Sequence, residues 1–399
     1  MFDNRVDYAP GGEFMRRRYD FIWGAGHVVE PRRGGSRDIR LAYYIPANRA
    51  PRGFNLRFDD RDRTLGWYQA NHPDWVVYRC PGGVEPSDPA RALPAYYLDE
   101  NGDHLVPLDV SNPEVVAWQV ERYGKYTSTL LAPGGYDALG VDNVFLDNVF
   151  GFCGVFAHGR FVRRYHPEDP HDARWCADVA AWTSALARGL HALSPPIALI
   201  ANVAPLDGPE PTCVQAVTDH LDGLVDEGGF MRSDLRAPLE EREWVSRVKL
   251  MARLQHEGRA YYSINEFAVP PSPQDFCAPV VSHGQLQWAL ASYLMGKEHA
   301  AAVFVSGLEQ YGCALWYPEF DAPIGHPCGE MRREAGVYVR DYSHGMVVTN
   351  ASYLGAIYTL PGDLPYTDLQ GTQVGSAVPL AAHSGVVLLA GRSAAGRCP

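Results

Sequence analysis

Three apolar segments of this sequence end in acidic or carboxamide side chains. They read VFLDN at 144–148, LVDE at 224–227 and SINE at 263–266. If the three are parallel strands of one barrel, their polar ends share a single opening. Two carboxylates facing one cavity can hydrolyse a glycosidic bond, because one protonates the departing oxygen while the other attacks the anomeric carbon or activates water. Mutual repulsion and partial burial would separate their pKa values, so the pattern predicts a pair with divided roles.

The same acids also admit a structural interpretation, since Asp and Glu at strand ends often cap the next helix or turn. Asp226 and Glu227 are consecutive and point to opposite sides of a regular strand, so we expect only one of them to face the opening. Asp142 and Asp222 precede the apolar residues 144–146 and 224–225 of their predicted strands. We therefore expect these two at the opposite end of the barrel, which serves stability, and assign them no chemistry.

Eight short apolar segments, each followed by a plausible helix, organise the first three quarters of the chain. The segments cover 19–24, 39–45, 75–78, 141–147, 197–202, 221–227, 260–266 and 301–306, and helical patterns cover 115–126, 172–193, 239–256 and 285–296. Continuous apolar character is typical of strands buried on both faces. Eight such units in about 310 residues predict an α/β fold, a (β/α)8 TIM barrel. A doubly wound open sheet is the alternative, but the sequence lacks a GxGxxG or GxxxxGK[ST] phosphate loop.

The texture of the sequence changes after the last of these segments. From about residue 332 it shows short strand patterns at 336–340, 346–349, 356–359 and 386–389, separated by turn residues. This pattern predicts a small antiparallel, sandwich-like β domain at the carboxyl terminus. The predicted organisation is an extension over 1–18, the barrel over 19–325 and the β domain over 326–399.

The overall composition narrows the function classes. The 399 residues carry 35 Lys and Arg against 47 Asp and Glu, a net charge of −12, which disfavours nucleic-acid binding. No run of eighteen apolar residues is present, so we expect no membrane insertion. The 22 Tyr and 9 Trp either fill a large core or stack on sugar rings. Trp23, Tyr44 and Tyr78 are the candidate sugar platforms.

Eight cysteines without a CxxC pair argue against a zinc knuckle or a thioredoxin motif. We expect one local disulfide between Cys313 and Cys328, and the sequence leaves the other pairings open. The amino terminus contains no apolar signal core. We therefore expect the chain to be either cytoplasmic or the mature form of an exported protein, and we favour export to the periplasm or the extracellular space.

Other catalytic chemistries find less support in the sequence. His158, His166 and His171 lie in a Pro-rich connection at spacings that match neither HExxH nor HxH, so we predict solvated histidines and no metal site. A Ser nucleophile would favour a GxSxG elbow, which is absent. We expect the protein to work without a cofactor.

Several motifs resemble those of a known family. They are PDW at 73–75, VPLDVSNP at 106–113, Trp118, GVDNVFLDN at 140–148, DEG at 226–228 and RDYSHGMVVTN at 340–350. Over about residues 19–389 the chain resembles glycoside-hydrolase-like TIM-barrel proteins, closest to hypothetical glycosyl hydrolase family 15, which is distinct from the glucoamylases. The resemblance implies a barrel with a C-terminal β domain that cleaves O-glycosidic bonds of a polysaccharide or oligosaccharide.

The resemblance also implies roles for individual residues. In the broader superfamily, which includes the α-galactosidase-like barrels, the nucleophile ends strand four and the acid/base ends strand six, which implies Asp147 and Glu227. Other retaining barrels use strands four and seven, so Asp147 with Glu266 is a second pairing. We expect Glu266, Asp226, Asn148 and Asn202 to shape the opening. Two alternatives remain open: a carbohydrate-binding barrel without catalysis, and a metal-dependent hydrolase.

Overall fold

The central element of the fold is a barrel of parallel strands. The computed structural model describes residues 2–3, 18–24, 40–45, 49–50, 65–95, 97–98, 104–124, 137–146, 148, 150–204, 206, 212–232, 237–362, 365–391 and 398. Seven parallel strands form a nearly closed barrel, and a two-residue strand pairs with the first of them. The strands are β1 (Phe2–Asp3), β2 (Phe21–Gly24), β3 (Arg40–Ile45), β4 (Ala138–Phe145), β5 (Ala198–Ala204), β6 (Gly223–Asp226), β7 (Ala260–Glu266) and β8 (Ala301–Ser306). They are hydrogen-bonded to one another in chain order.

Seven of the eight predicted strand segments lie in this barrel, and the prediction for Trp75–Tyr78 is wrong. Pro73–Trp75 is a 3-10 helix. Val76 and Tyr78 form only isolated antiparallel bridges to loop residues. These residues belong to a separate core whose members include Tyr68, Trp75 and Phe156. The apolar sequence therefore predicted correctly that these residues are buried, but they are buried outside the barrel.

Six α-helices lie in the described part of the chain. They are α1 (Leu65–Asn71), α2 (Pro113–Gln119), α3 (Ala173–His191), α4 (Thr212–Thr218), α5 (Glu241–His256) and α6 (His283–Gly296). The four predicted helices are confirmed as α2, α3, α5 and α6, with α2 continuing into the π-helix Val120–Gly124. Three of these helices have a side chain that caps the first N–H groups: Asn112 in α2, Asp172 in α3 and Ser282 in α6.

The connections between barrel strands carry short strands of their own. These are Arg49–Ala50, Tyr97–Leu98 and His104–Pro107 in one sheet, the hairpin Gly154–Ala157 with Arg160–Arg163, and the pair Met231–Arg232 with Ala237–Pro238. Further 3-10 turns span Pro81–Gly83 and Pro318–Asp321. The hairpin lies in the connection that follows β4, so this connection is built as a structured layer and not as an open loop.

A C-terminal antiparallel unit follows the barrel, as predicted. It consists of β9 (Arg332–Glu334), β10 (Val337–Tyr342), β11 (Gly345–Asn350), β12 (Ala356–Thr359), β13 (Tyr366–Thr367), β14 (Gln373–Val374), β15 (Ala377–Leu380) and β16 (Ser384–Ala390). One sheet has the order β9-β10-β11-β16-β13-β14, and β12 pairs with β15 in a second. The unit has its own apolar core. The domain boundaries at 18 and 325 stay predictions.

All eight cysteines are paired. The disulfides are Cys80–Cys153, Cys176–Cys213, Cys277–Cys313 and Cys328–Cys398. The predicted Cys313–Cys328 bridge is wrong, because Cys313 is buried under the β7–α6 connection whereas Cys328 lies beside β10, where its N–H donates to Asp341 O. None of the helices in the described ranges is long and apolar enough to span a membrane.

Candidate active site

Predicted site residues lie on neighbouring strands of the barrel. Asn202 is in β5, Glu227 directly follows β6, and Glu266 is the last residue of β7. The order β4-β5-β6-β7 places these positions side by side at the carboxyl ends of the strands. Asp147, the predicted nucleophile, lies outside the described residues, and the described chain reaches Leu146 immediately before it.

A chain of hydrogen bonds crosses the barrel at this end. The Tyr44 hydroxyl donates to Asp142 Oδ2. Asn202 Nδ2 donates to Asp142 Oδ1 at 3.3 Å and to Glu227 Oε2 at 2.7 Å. The Tyr311 hydroxyl donates to Glu227 Oε1 at 3.2 Å. We call these five residues the mouth network. Its two carboxylates are bridged by a single carboxamide.

Asp142 is a member of the network, which corrects the prediction that it lies at the stability end. The strand spans Ala138–Phe145, so Asp142 is its fifth residue and does not precede it. In addition, Val141 pairs with Ala201 while Val144 pairs with Val203, so Asp142 and Asn143 together oppose Asn202. Such a β-bulge re-aims side chains and is common beside active sites. Asp222, by contrast, lies before β6 as predicted, where its carboxylate accepts from Leu199 N at 2.7 Å.

Asp226 and Glu227 lie on opposite faces of β6, as their succession predicts. Asp226 is buried and accepts hydrogen bonds from the Arg247 guanidinium of α5 and the Tyr261 hydroxyl, and from Gly229 N at 3.0 Å. Burial, reinforced by the Asp226 carboxylate, raises the pKa of Tyr261 well above its ordinary value, so this hydroxyl stays a donor. Glu227 is only half-buried and joins the mouth network. Asp226 therefore supports the wall behind the strand, and Glu227 faces the opening.

Glu266 has a different environment from Glu227. Its side chain is 3% exposed, and Oε1 accepts from the backbone N–H of Glu309 at 2.6 Å. Glu309 lies in the connection after β8, which also carries Tyr311. Glu266 therefore helps to hold the segment that delivers Tyr311 to Glu227.

Asn148 hydrogen-bonds the connection in which it lies. Its Nδ2 donates to Phe152 O at 3.1 Å and to His166 O at 3.3 Å, and its Oδ1 accepts from Phe152 N at 2.8 Å. Both ends of the carboxamide thus organise the backbone after β4. The sugar contact that we expected for Asn148 stays a prediction.

The three candidate sugar platforms are covered by protein. Trp23 is fully buried and lies edge-to-face with Tyr44, with ring centroids 5.6 Å apart, beside Gly140. Tyr44 is 7% exposed and uses its hydroxyl in the mouth network. Tyr78 is fully buried in the separate core with Phe156, and burial raises its pKa above the ordinary value of 10.0. Trp23 and Tyr44 therefore form a packed layer of the barrel interior, and no open ring face is available at the three positions.

Tyr311 is a site residue that the sequence analysis missed. It is half-buried, stacks on Phe304 with ring centroids 6.4 Å apart and reaches Glu227. The available signal was its position in the connection five residues after the end of β8, because connections after barrel strands line the opening. For Asp142 no comparable signal was available, because no residue type predicts a bulge in a pair of parallel strands.

Two further features bear on the kind of site. Within the described ranges, no three His, Cys, Asp or Glu side chains are grouped so as to hold a metal ion. A cavity of about 430 Å³ lies at the other end of the barrel, between the starts of β2 and β8, and is lined by Tyr19, Phe21, Trp316 and Tyr342 among others. None of the predicted site residues lines it. The chemistry-bearing groups and this cavity are therefore separate features of the molecule.

The sequence and the fold of this chain are similar to those of known proteins. Residues 140–346, just over half of the chain, match hypothetical glycosyl hydrolase family 15. An Anoxybacillus α-amylase described as a new glycosyl hydrolase subclass is similar at 13% identity and a TM-score of 0.51, over 95% of this chain and 88% of its own. An enzyme of family GH13_31 is similar at 11% identity and a TM-score of 0.52, over 98% of this chain and 97% of its own. At these identities the two structures share the fold alone.

No curated protein matches the chain. The family match runs from β4 into β11 and includes the positions of both Asp147 and Glu227. On this match, the chain belongs to hypothetical glycosyl hydrolase family 15 and is a glycoside hydrolase.

Proposed function

We propose that the protein hydrolyses O-glycosidic bonds of an oligosaccharide or polysaccharide, with Asp147 as nucleophile and Glu227 as general acid/base. The observation that carries the proposal is the environment of Glu227. It is the half-buried carboxylate at the end of β6, it faces the opening, and each of its oxygens has its own hydrogen-bond donor. A general acid needs this combination of fixed orientation and access to substrate.

The two donors give the Glu227 oxygens different roles. The Asn202 amide nitrogen can only donate, so Oε2 is held as an acceptor. The Tyr311 hydroxyl can donate or accept, so Oε1 can be protonated or ionised without losing its partner. The transferable proton is therefore carried by Oε1, on the side of Tyr311.

The proposed reaction has two steps. In the first, Glu227 gives its proton to the glycosidic oxygen as the bond to the anomeric carbon breaks, and Asp147 bonds to that carbon. In the second, Glu227, now ionised, takes a proton from water, whose oxygen displaces Asp147 from the anomeric carbon. Glu227 is protonated again and Asp147 is a free carboxylate, so the enzyme is regenerated and the anomeric configuration is retained.

The contacts favour Glu227 over Glu266 as the partner of Asp147. Glu266 is almost fully buried and accepts a backbone N–H at 2.6 Å. A proton on a group in that position would have to leave a packed environment to reach the substrate. Glu227 is more exposed and lies directly at the opening.

Kinetics of matched amide variants test the proposal. Wild type is first assayed on 4-nitrophenyl α- and β-glycosides of glucose, galactose, mannose and N-acetylglucosamine, and on soluble starch and other polysaccharides. We expect Glu227→Gln to lower kcat by about 10²–10⁴-fold on a poor leaving group, and Asp147→Asn by at least as much. Glu114→Gln, an exposed change on α2, is the matched control and should leave kcat unchanged.

The same experiment separates the two pairings and the stereochemistry. If Glu266→Gln abolishes turnover while Glu227→Gln retains the wild-type rate, Glu266 is the partner and the assignment of Glu227 is wrong. Proton NMR of the first product should show the anomer of the substrate, and the opposite anomer would exclude the covalent step at Asp147.

We also propose that the protein is exported. Its four disulfides are compatible with an oxidising compartment, where such bonds form and persist. Alkylation of free thiols in protein taken directly from its native cells tests this. Eight modified cysteines would place it in a reducing compartment and overturn the proposal.

A further inference from the structure

Asp142 is a buried carboxylate that the proposed reaction does not use. It is 6% exposed and lies within β4, below the opening. Both of its oxygens are occupied, Oδ2 by the Tyr44 hydroxyl and Oδ1 by Asn202 Nδ2. A group in this position has no access to the anomeric carbon of a substrate, so its contribution must be made through its neighbours.

The neighbour that matters is Asn202. Its amide nitrogen has two hydrogens, one directed to Asp142 Oδ1 at 3.3 Å and the other to Glu227 Oε2 at 2.7 Å. A carboxamide alone has no preference for which end faces a given direction, because its oxygen and nitrogen ends are nearly equal in shape. An acceptor at Asp142 decides the orientation, since turning the amide over would set its oxygen against two carboxylates.

The local backbone serves this contact. In β4, Asp142 and Asn143 oppose the single residue Asn202 of β5. A bulge of this kind is unusual in a parallel pair and redirects the side chain that it carries. Here it brings Asp142 into the barrel next to Asn202, where the Tyr44 hydroxyl holds it from the other side.

We propose that Asp142 is a positioning residue that orients the Asn202 amide toward Glu227 and thereby keeps Oε2 an acceptor and the transferable proton on Oε1. The inference rests on the proposed function of Glu227. It predicts that loss of Asp142 impairs proton donation to the leaving group and leaves the remaining steps nearly intact.

Leaving-group dependence tests this prediction, because only poor leaving groups need the acid. With the sugar that the glycoside panel identifies, we expect Asp142→Leu, which removes both acceptor oxygens, to lower kcat on the phenyl glycoside by about 10–100-fold and on the 2,4-dinitrophenyl glycoside by less than about threefold. KM should change little. The matched control is Asp109→Leu, which removes a buried carboxylate paired with Arg164 at 2.8 Å in the connection before α2. This control should lower the melting temperature without any leaving-group dependence.

A double-mutant cycle shows whether Asp142 acts through Asn202. Asn202→Ala should reproduce the effect of Asp142→Leu, and adding Asp142→Leu to Asn202→Ala should cause no further loss of kcat. Additive losses, or equal losses on both glycosides, would overturn the inference. If Glu227→Gln itself shows no leaving-group dependence, the proposed function fails instead, so the two failures are distinct.

A neutron structure of the Asp142→Leu variant, which shows the amide hydrogens and so distinguishes nitrogen from oxygen, gives an answer that needs no substrate. The inference requires that Asn202 Nδ2 moves out of hydrogen-bond distance of Glu227 Oε2. A contact that stays at about 2.7 Å, as in wild type, would overturn it.

Discussion

The two faces of β6 carry consecutive acids with opposite surroundings. Behind the strand, Asp226 is buried and meets the cationic guanidinium of Arg247 together with the Tyr261 hydroxyl. In front, Glu227 is half-buried and meets two neutral donors, Asn202 and Tyr311. Two consecutive residues therefore differ in their partners. Asp226 is paired with a cation, and Glu227 is held only by neutral groups.

The difference shows how the barrel divides stability from chemistry. A carboxylate paired with a buried cation supports the fold, because removing either partner leaves the other charge buried and unmatched. A carboxylate held by an amide and a hydroxyl has a fixed orientation, while one oxygen remains able to bind or release a proton. The alternation of side chains along β6 is what directs each acid to its own environment.

Removing the charge behind β6 should have the largest effect on folding. We expect Asp226→Asn to lower the free energy of unfolding by about 3–5 kcal/mol, because it leaves Arg247, which is 3% exposed, without its anion. Denaturant unfolding measures this. The paired change Glu227→Gln should cost less than about 1 kcal/mol.

The comparison fails if the two results are reversed. A large loss of stability in Glu227→Gln, with little loss in Asp226→Asn, would mean that the front acid supports the fold and that the back acid is free to react. Turnover per folded molecule of Asp226→Asn, measured at a denaturant concentration well below its unfolding midpoint, shows whether the back acid takes part in the reaction.

Much of the fold was predictable because burial on both faces leaves a clear sequence pattern. Residues 41–45, LAYYI, are apolar throughout, and all five are buried in β3. The same pattern misled at Trp75–Tyr78, because a second core also buries apolar residues. Sequence periodicity reports that a segment is buried but not which core buries it.

The site was predictable only in part, for two physical reasons. That Asp226 and Glu227 face opposite ways follows from the geometry of any strand. The inward position of Asp142 depends on a bulge and on a strand that starts at Ala138, and neither leaves a mark in residue types. Tyr311 reaches Glu227 from a connection, whose path is set by long-range contacts such as Cys277–Cys313. Local patterns cannot contain that information.

The connection that carries Tyr311 allows a second test of the front face. Cys313 is bonded to Cys277, and Gln310 Nε2 donates to Phe276 O at 2.7 Å and to Ala278 O at 2.9 Å. We expect Cys277→Ser with Cys313→Ser to lower the unfolding free energy by about 2–4 kcal/mol. It should also lower kcat/KM several-fold, because Tyr311 loses its anchor.

The Cys328–Cys398 disulfide is the matched control for this change. It lies at the C-terminal β unit, 70 residues apart in sequence, and its removal should cost a similar free energy. Its kcat/KM should stay at the wild-type value. Equal kinetic losses in both serine pairs would show that lower stability, and not the position of Tyr311, reduces activity.

The smallest and sharpest change removes one hydroxyl from each face. Tyr261→Phe behind β6 removes a donor to the buried Asp226, so we expect it to lower the unfolding free energy by about 1.5–3 kcal/mol and to leave kcat unchanged. Tyr311→Phe in front removes a longer hydrogen bond to the half-buried Glu227, at 3.2 Å. Its unfolding free energy should change by less than about 1 kcal/mol, because water can replace the lost donor at an accessible carboxylate.

For catalysis the order of the two variants should be reversed, so that Tyr311→Phe has a larger effect than Tyr261→Phe. Without the hydroxyl, Oε1 loses the group that fixes the position of the transferable proton, so we expect kcat on poor leaving groups to fall by about fivefold. Steady-state kinetics and denaturant unfolding of the two variants measure all four quantities. If Tyr261→Phe slows catalysis and Tyr311→Phe does not, the acid that reacts is reached through the back of β6, and the division of the strand into a supporting and a reacting face is wrong.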